Sequence, residues 1–204
     1  LVQAIKFLKD VHFVGTYALG IKAQLYTFLP ATPANRGDAD DAAEKLLHGM
    51  FLKGHARGLY DYRLDSKNVN RFDHSVSQYG VLGMWACRRA GVEVPDTYWQ
   101  TVDNAWRKSQ LPDGGWFYDS FKPIPTPSMT AAGVATLFIT QDELKNSDIG
   151  CKGNIVNTNI DKGMKWMGDN FSKILRDDYY TWYGVERIGA ASGYKYLGTI
   201  DWFN

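Results

Sequence analysis

The sequence has only two cysteines, Cys87 and Cys151, and neither belongs to a Cys-x-x-Cys pair. One pair cannot form a disulfide framework, and this spacing excludes the usual zinc and dithiol motifs. No histidine stands at metal-ligand spacing from another, and neither a glycine-rich phosphate loop nor a serine nucleophile elbow is present. The residues themselves therefore indicate no metal and no cofactor, and the redox state of the two thiols stays open.

An excess of one charge and a long apolar run are also lacking. The chain has 23 Lys and Arg against 22 Asp and Glu, and its basic residues are spread along its length. This pattern argues against a nucleic-acid partner or an electrostatic membrane footprint. No run of roughly 18 apolar residues exists, so no membrane span is predicted. The chain starts at Leu1 within a helical pattern and has no leader, so we expect a removed signal or a piece of a longer protein, and no compartment is indicated.

What the sequence does have is helical periodicity along most of its 204 residues, with no competing strand alternation. This predicts one all-α domain over residues 1–204, long enough for one substantial core and short for two. We expect a loop at Pro33–Gly37, a capping box at Ser75 and Gln78 and a loop rich in aromatics at Tyr194–Asn204. The predicted helices are Val2–Lys9, Thr16–Phe28, Asp40–Lys53, His74–Ala90, Asp96–Ser109, Ser128–Thr140, Thr158–Phe171 and Tyr179–Ala191.

These helices are copies of two kinds. The segment Asp96–Tyr118 aligns without a gap on Asp40–Tyr62, and the helices near Ser75, Ser128 and Tyr179 align on one another. A period of roughly 50 to 60 residues predicts stacked helical hairpins. A glycine inside a helix costs about 1 kcal/mol relative to alanine, so four at equivalent positions predict close approach between helices. The four are Gly20, Gly80, Gly133 and Gly184.

The stretch Gln110-x-x-x-Gly114-x-Trp116 resembles the QW motif of squalene–hopene and oxidosqualene cyclases, which share an α/α toroid with protein prenyltransferase β-subunits. SMTAAGVATL (residues 128–137) and YGVERIG (residues 183–189) are similar to the bacterial, planctomycete-type prenyltransferase and squalene oxidase repeat proteins. Only one QW motif is complete, because the earlier copy has Gly54 for Gln and Tyr60 for Trp.

This resemblance implies an α/α toroid of alternating inner and outer helices. The inner helices would be those that start near Thr16, His74, Ser128 and Tyr179. A closed toroid of this family has about six hairpins and the chain has roughly four, so we expect an incomplete ring or a fragment. An incomplete ring would expose an apolar edge and invite association with another molecule.

Asp38-Ala-Asp-Asp41 resembles the Asp-x-Asp-Asp motif with which class II cyclases protonate an alkene. Such an acid needs neighbouring carboxylates and a dry site. Here the motif opens a predicted outer helix, and Asp40 is the repeat partner of Asp96, a candidate N-cap. We therefore favour the interpretation that Asp40 caps the helix.

Asp73 and His74 are candidate catalytic residues at the mouth of a predicted inner helix. Prenyltransferases bind zinc there through Asp-x-Cys and a later histidine, but this chain has Ser75 in place of the thiolate and Thr181 near the place of the histidine. The resemblance therefore implies no zinc site. The competing interpretation has Asp73 as a helix cap and His74 half-exposed beside it.

Four aromatic residues crowd the start of the last predicted inner helix and are the candidate ligand-binding residues: Tyr179, Tyr180, Trp182 and Tyr183. Their faces could stabilise a carbocation or hold a flat apolar ligand, although packing explains them equally well. Glu186 is a third candidate catalytic residue, because its sister helices have Leu82 and Ala135 there and a carboxylate at an otherwise apolar inner position needs a partner or a function. An ion pair with Arg187 or Arg176 is the alternative.

The predicted function is that of a terpenoid cyclase-like domain with a concave, aromatic-lined face for an apolar, isoprenoid-like ligand and no intact catalytic motif. Whether it is an enzyme stays open; an active one would be a terpene cyclase-like isomerase or lyase. The main alternative is a non-catalytic helical-repeat scaffold for protein contact. A third, a carbohydrate-active barrel, requires paired carboxylates about 5 to 10 Å apart, for which only Asp73 and Glu186 are candidates.

Overall fold

The computed structural model describes residues 2–145 and 157–203, and this part of the chain is all-α apart from one short hairpin. Cys151 lies outside the described residues. The helices are α1 (Val2–Asp10), α2 (Thr16–Leu25), α3 (Pro33–Gly49), α4 (His74–Arg89), α5 (Asp96–Ser109), α6 (Pro127–Lys145), α7 (Thr158–Asn170) and α8 (Tyr179–Ser192). Short 3₁₀ turns follow at Tyr26–Phe28 and Phe171–Lys173, and strands β1 (Tyr196–Leu197) and β2 (Ile200–Asp201) form the hairpin.

The chain divides into two compact units, Leu1–Tyr98 and Trp99–Asn204, and the division falls within α5. The first unit contains α1 to α4. The second contains α6 to α8 and the hairpin. A single domain over residues 1–204 stays a prediction.

In the first unit α2 lies against α4, and α3 packs on both. A Cβ at Gly20 would lie 2.2 Å from the carbonyl oxygen of Tyr79, and a Cβ at Gly83 would lie 2.7 Å from the Cα of Gly20. The two helix backbones therefore touch, as the repeated glycines predict for Gly20. The N–H of Thr16 donates to the carbonyl of Tyr62 at 2.9 Å, so α2 begins beside the segment that leads into α4.

The second unit is built around α6. Here α6 lies against both α7 and α8. A Cβ at Gly184 would lie 2.8 Å from the Cβ of Ala131, and a Cβ at Gly163 would lie 2.5 Å from Cγ2 of Val134. Gly184 thus confirms a second close approach between helices.

At the other two repeated glycines, Gly80 and Gly133, an aromatic ring packs against the helix. In the first unit the Tyr60 ring lies on Gly80, where a Cβ would be 2.7 Å from Cε2. The Tyr60 N–H donates to Oγ of Ser77 at 2.9 Å, and its carbonyl accepts from the N–H of Asp73 at 3.2 Å. We call this set of contacts the ring-on-glycine clasp. It fixes the chain entering α4 to the side of that helix.

The second unit has the same clasp around Trp116. Its ring lies on Gly133, where a Cβ would be 2.4 Å from Cδ2. The Trp116 N–H donates to Oγ1 of Thr130 at 3.1 Å, and its carbonyl accepts from the N–H of Thr126 at 3.0 Å. Thr126, Thr130 and Gly133 occupy the positions of Asp73, Ser77 and Gly80 in the aligned sequences. The sequence repeat therefore encodes a repeated set of contacts.

Gln110 completes the clasp in the second unit. Its amide nitrogen donates to the carbonyls of Gly114 and Asn159, both at 2.9 Å, and its oxygen accepts from Nδ2 of Asn159 at 2.7 Å. The indole of Trp116 is fully buried and donates to the carbonyl of Trp106 at 2.8 Å. Gly114 takes a φ of +97°, which favours glycine. The QW-like stretch thus ties the end of α5 to the starts of α6 and α7.

The predicted start of α3 is wrong by seven residues. The helix begins at Pro33, because Thr32 caps it by accepting from the N–H of Asn35 at 3.3 Å and proline is preorganised for the first helical position. The expected loop at Pro33–Gly37 is therefore the first turns of α3. Asp40 lies inside the helix, so its interpretation as an N-cap is wrong.

The last described residues form a hairpin where only a loop was expected. Strands β1 and β2 pair antiparallel around Gly198, which takes a φ of +63°. Leu197 is buried, and the Trp202 ring lies on Gly189 of α8. The Trp202 indole donates to the carbonyl of Tyr194 at 2.6 Å, which fixes the hairpin to the end of the helix that precedes it.

Candidate functional site

Asp73 caps α4 from a buried position at its mouth. Its Oδ1 accepts from the N–H of Val76 at 3.0 Å and from the hydroxyl of Ser75, and the Tyr62 side chain also bonds to the carboxyl. Only 5% of Asp73 is exposed. The interpretation of Asp73 as a helix cap is confirmed. The predicted capping box of Ser75 with Gln78 is wrong, because Asp73 supplies the capping oxygen.

Burial raises the pKa of the Asp73 carboxyl above its ordinary value of 3.8, although the bonds from Ser75, Val76 and Tyr62 act in the opposite direction. The charged form loses more from dehydration than these donors return. A carboxyl with a raised pKa keeps its proton to a higher pH than an ordinary aspartate does. Its catalytic role stays a prediction.

His74 is fully buried, so the prediction of a half-exposed ring is wrong. Its imidazole meets the Phe72 ring edge-on, with centroids 5.1 Å apart and an interplanar angle of 72°. The side chain therefore packs inside the first unit. A role as base or ligand would require Phe72 and its neighbours to move.

An open cleft of about 430 Å³ lies beside Asp73 in the first unit. We call it the Asp61 cleft. Its walls come from the segment that runs from Tyr60 into α4, and they are Asp61, Tyr62, Arg63, Asp65, Ser66 and Arg71. Sequence reasoning missed this cleft. The available signal was the alternation of acidic and basic residues between a predicted outer helix and a predicted inner one.

The two carboxylates of the Asp61 cleft are already occupied. Asp61 accepts from the N–H of Tyr62 at Oδ1 and from the hydroxyl of Ser66 at Oδ2, both at 2.8 Å. Asp65 accepts from Nε and Nη2 of Arg63, also at 2.8 Å each. The hydrogen bond from Arg63 lowers the pKa of Asp65, and the same bond raises the pKa of Arg63.

Arg71 is held more loosely. Its Nε lies 3.8 Å from Oδ1 of Asp61, and 52% of its side chain is exposed. That distance allows an ion pair but is too long for a hydrogen bond. Of the two cations in this cleft, Arg63 is hydrogen-bonded to Asp65, whereas the Arg71 side chain hydrogen-bonds neither carboxylate.

Tyr62 connects the Asp61 cleft to Asp73. Its ring is 45% exposed and lines the cleft, while its side chain reaches the buried carboxyl. The hydroxyl of Thr16 at the start of α2 donates to the carbonyl of Asp61 at 2.7 Å. Contacts at the N-terminal ends of α2 and α4 therefore hold the wall of the cleft in place.

The aromatic residues at the start of α8 differ in exposure. Tyr179 is 79% exposed and Tyr183 is 37% exposed, whereas Tyr180 and Trp182 are half-buried. The Trp182 indole donates to the carbonyl of Leu175 at 3.0 Å. Its ring therefore serves packing, which leaves Tyr179 and Tyr183 as the rings that face solvent.

The first turn of α8 is firmly anchored. Asp178 caps it by accepting from the N–H of Thr181 at 3.0 Å and from the Thr181 hydroxyl at 2.5 Å. Trp182 packs edge-on against Phe171, with ring centroids 5.6 Å apart. Tyr179 and Tyr183 are four residues apart, so they share one face of this helix. The arrangement presents aromatic surface from a fixed backbone.

Glu186 is exposed, so its carboxylate does not lie in apolar surroundings. A solvated carboxylate needs no partner. The neighbouring Arg187 lies over the Tyr183 ring, 5.8 Å from its centroid. Nothing in these contacts gives Glu186 a role in holding a ligand.

The Asp38–Asp41 stretch lies along α3 and is used by ion pairs. Asp38 pairs with Lys9 at 2.8 Å and Asp41 with Lys45 at 2.5 Å, while Asp40 is exposed. These carboxylates therefore lack the dry surroundings that an alkene-protonating acid needs.

The described residues contain no group of three or more His, Cys, Asp or Glu that could hold a metal ion. Within the same ranges, no helix has both the length and the apolar character to cross a membrane. Comparison of the chain with protein-family models, with curated proteins and with solved structures finds no match in any of the three.

Proposed function

We propose that the chain is an α/α-toroid repeat domain related to the terpenoid cyclases, and that it binds an apolar, isoprenoid-like ligand on the aromatic face of α8. The observation that carries the binding proposal is the exposure of Tyr179 and Tyr183 on an anchored first turn. The repeated ring-on-glycine clasp supports the kinship. Both its copies place an aromatic residue on the glycine of a neighbouring helix.

The exposed rings suit an apolar ligand for a physical reason. A tyrosine presents a large apolar face at low entropic cost, and covering it with hydrocarbon removes apolar area from water at roughly 25 cal/mol per Å². Arg187 lies over the Tyr183 ring, and 37% of this tyrosine stays exposed to meet a ligand. Trp182 and Asp178 hold the helix, so little order has to be created on binding.

Binding is tested by titrating the protein with farnesol, an isoprenoid alcohol added from a small volume of ethanol, and following tryptophan fluorescence. We expect Tyr179→Ala and Tyr183→Ala each to weaken binding by about tenfold, which corresponds to about 1.4 kcal/mol. The matched control is Tyr194→Ala, because Tyr194 is 60% exposed but lies beyond the end of α8. Equal affinity in all four proteins would contradict the proposal.

A second candidate function is a non-catalytic scaffold for another protein. The observation that favours it is the structural use of the candidate catalytic groups, since Asp73 caps α4 and His74 is packed against Phe72. Incubation with squalene and analysis of the products tests the catalytic reading directly. A cyclised product that disappears in Asp73→Asn would support an enzyme. Absence of product, together with no lipid recovered from the purified protein, would favour the scaffold.

A further inference from the structure

The Asp61 cleft contains an arginine, Arg71, whose side chain is not hydrogen-bonded by the other residues of the cleft. Arg63 spends two donors on Asp65, and the Asp61 carboxylate already accepts from two donors of its own segment. Arg71 lies 3.8 Å from Asp61 and has no side-chain hydrogen bond among the described residues. A guanidinium has five donors in a planar fork, so Arg71 can still receive a planar anion.

The charges of the residues that line the cleft favour one kind of anion over another. Both carboxylates and phosphates match an arginine fork. Asp61 and Asp65 lie in the same cleft as Arg63 and Arg71, so the cleft has no excess positive charge. A phosphate group carries about −1.5 to −2 charges near neutral pH and would be repelled by the two aspartates more than a singly charged group. The balance favours a carboxylate.

The volume of the cleft and its tyrosine indicate which kind of carboxylate would bind there. About 430 Å³ lies within the range of roughly 300 to 1,000 Å³ that is usual for small-molecule sites. Tyr62 is 45% exposed and lines the same cleft as Arg71, so its ring offers apolar surface there. We propose that the Asp61 cleft binds a small organic carboxylate, with its carboxylate on Arg71 and its apolar part on Tyr62.

The test is a calorimetric titration of the full chain with benzoate, acetate and inorganic phosphate at constant ionic strength. We expect benzoate to bind more tightly than acetate, because it adds contact with Tyr62, and phosphate to bind most weakly. Arg71→Lys should weaken benzoate binding by about tenfold, since an ammonium cannot form the bidentate pair. Arg71→Ala should abolish it.

The control is Arg57→Ala, which removes an exposed arginine that does not line the cleft. It should leave benzoate affinity unchanged. Arg71 is half exposed, so its variants should fold, and their thermal unfolding checks this directly. Unchanged benzoate affinity in Arg71→Ala would overturn the proposal. Phosphate binding as tightly as benzoate would overturn the carboxylate assignment.

Discussion

Replacing Gly133 by alanine should destabilise the protein although alanine is the better helix former. A Cβ at Gly133 would lie 2.4 Å from Cδ2 of Trp116 and 2.7 Å from both Cε2 and Cε3. The indole has no room to retreat, because it is fully buried and its N–H is bonded to the carbonyl of Trp106. Overpacking of this kind costs about 1–3 kcal/mol, whereas the gain in helix propensity is about 1 kcal/mol. A net loss of up to about 2 kcal/mol is expected.

The decisive measurement is Gly133→Ala in a protein that already lacks the Trp116 indole. Trp116→Ala alone should cost about 3–5 kcal/mol, because it leaves a cavity in the core. In that background Gly133→Ala meets no ring, so we expect it to be neutral or to stabilise the protein by up to about 1 kcal/mol. The coupling energy of the two substitutions should therefore equal the overpacking cost, about 1–3 kcal/mol. Urea unfolding followed by circular dichroism gives all four free energies of unfolding.

Gly37→Ala is the control for helix propensity. Gly37 lies inside α3, and a Cβ there would have no neighbour within 4 Å. This substitution should stabilise the protein by about 0.5–1 kcal/mol. If Gly133→Ala costs the same with and without Trp116, the ring is not what excludes a side chain, and the clasp has been misread. Trp116→Phe provides a milder partner if the alanine variant is too unstable to measure.

Three further predictions concern other polar groups that are buried or half-buried. Gln110→Ala should destabilise the protein by about 1–3 kcal/mol in urea unfolding, because it leaves partners of three hydrogen bonds unpaired. Tyr60→Phe should cost about 1–3 kcal/mol, because the Tyr60 and Tyr98 hydroxyls are bonded to each other at 3.1 Å and both rings are buried; no loss would show that Tyr98 finds another partner. The folded pKa of Asp73 is raised, so its contribution to stability is full below the unfolded pKa and is lost as pH rises through the folded pKa. Asp73→Asn should remove that loss, and unfolding measured from pH 4 to 7 checks it; parallel pH profiles for the two proteins would contradict the raised pKa.

Sequence patterns predicted the elements whose ends are set locally. The prediction of α5 as Asp96–Ser109 matches the structure, because proline precedes it and the Gly114 turn soon follows. The start of α3 was missed because Pro33 and Gly37 resemble a loop until Thr32 is recognised as the cap. The burial of His74 depends on neighbours that no spacing reveals. The Asp61 cleft was missed for the same reason, since its walls meet only after the segment folds back on α2 and α4.

Comparison of equivalent positions in the two units shows which residues have a repeated structural role. Asp73 and Thr126 occupy equivalent positions, and each accepts from the N–H three residues later, at 3.0 Å and 3.2 Å. Capping is therefore the repeated role of this position, and the raised pKa of Asp73 is a consequence of its surroundings in the first unit. Arg71 lies in the segment between Tyr60 and Asp73, which is longer than the segment between Trp116 and Thr126. The residues of the Asp61 cleft take no part in the ring-on-glycine clasp, so this longer segment is where the first unit differs from the second.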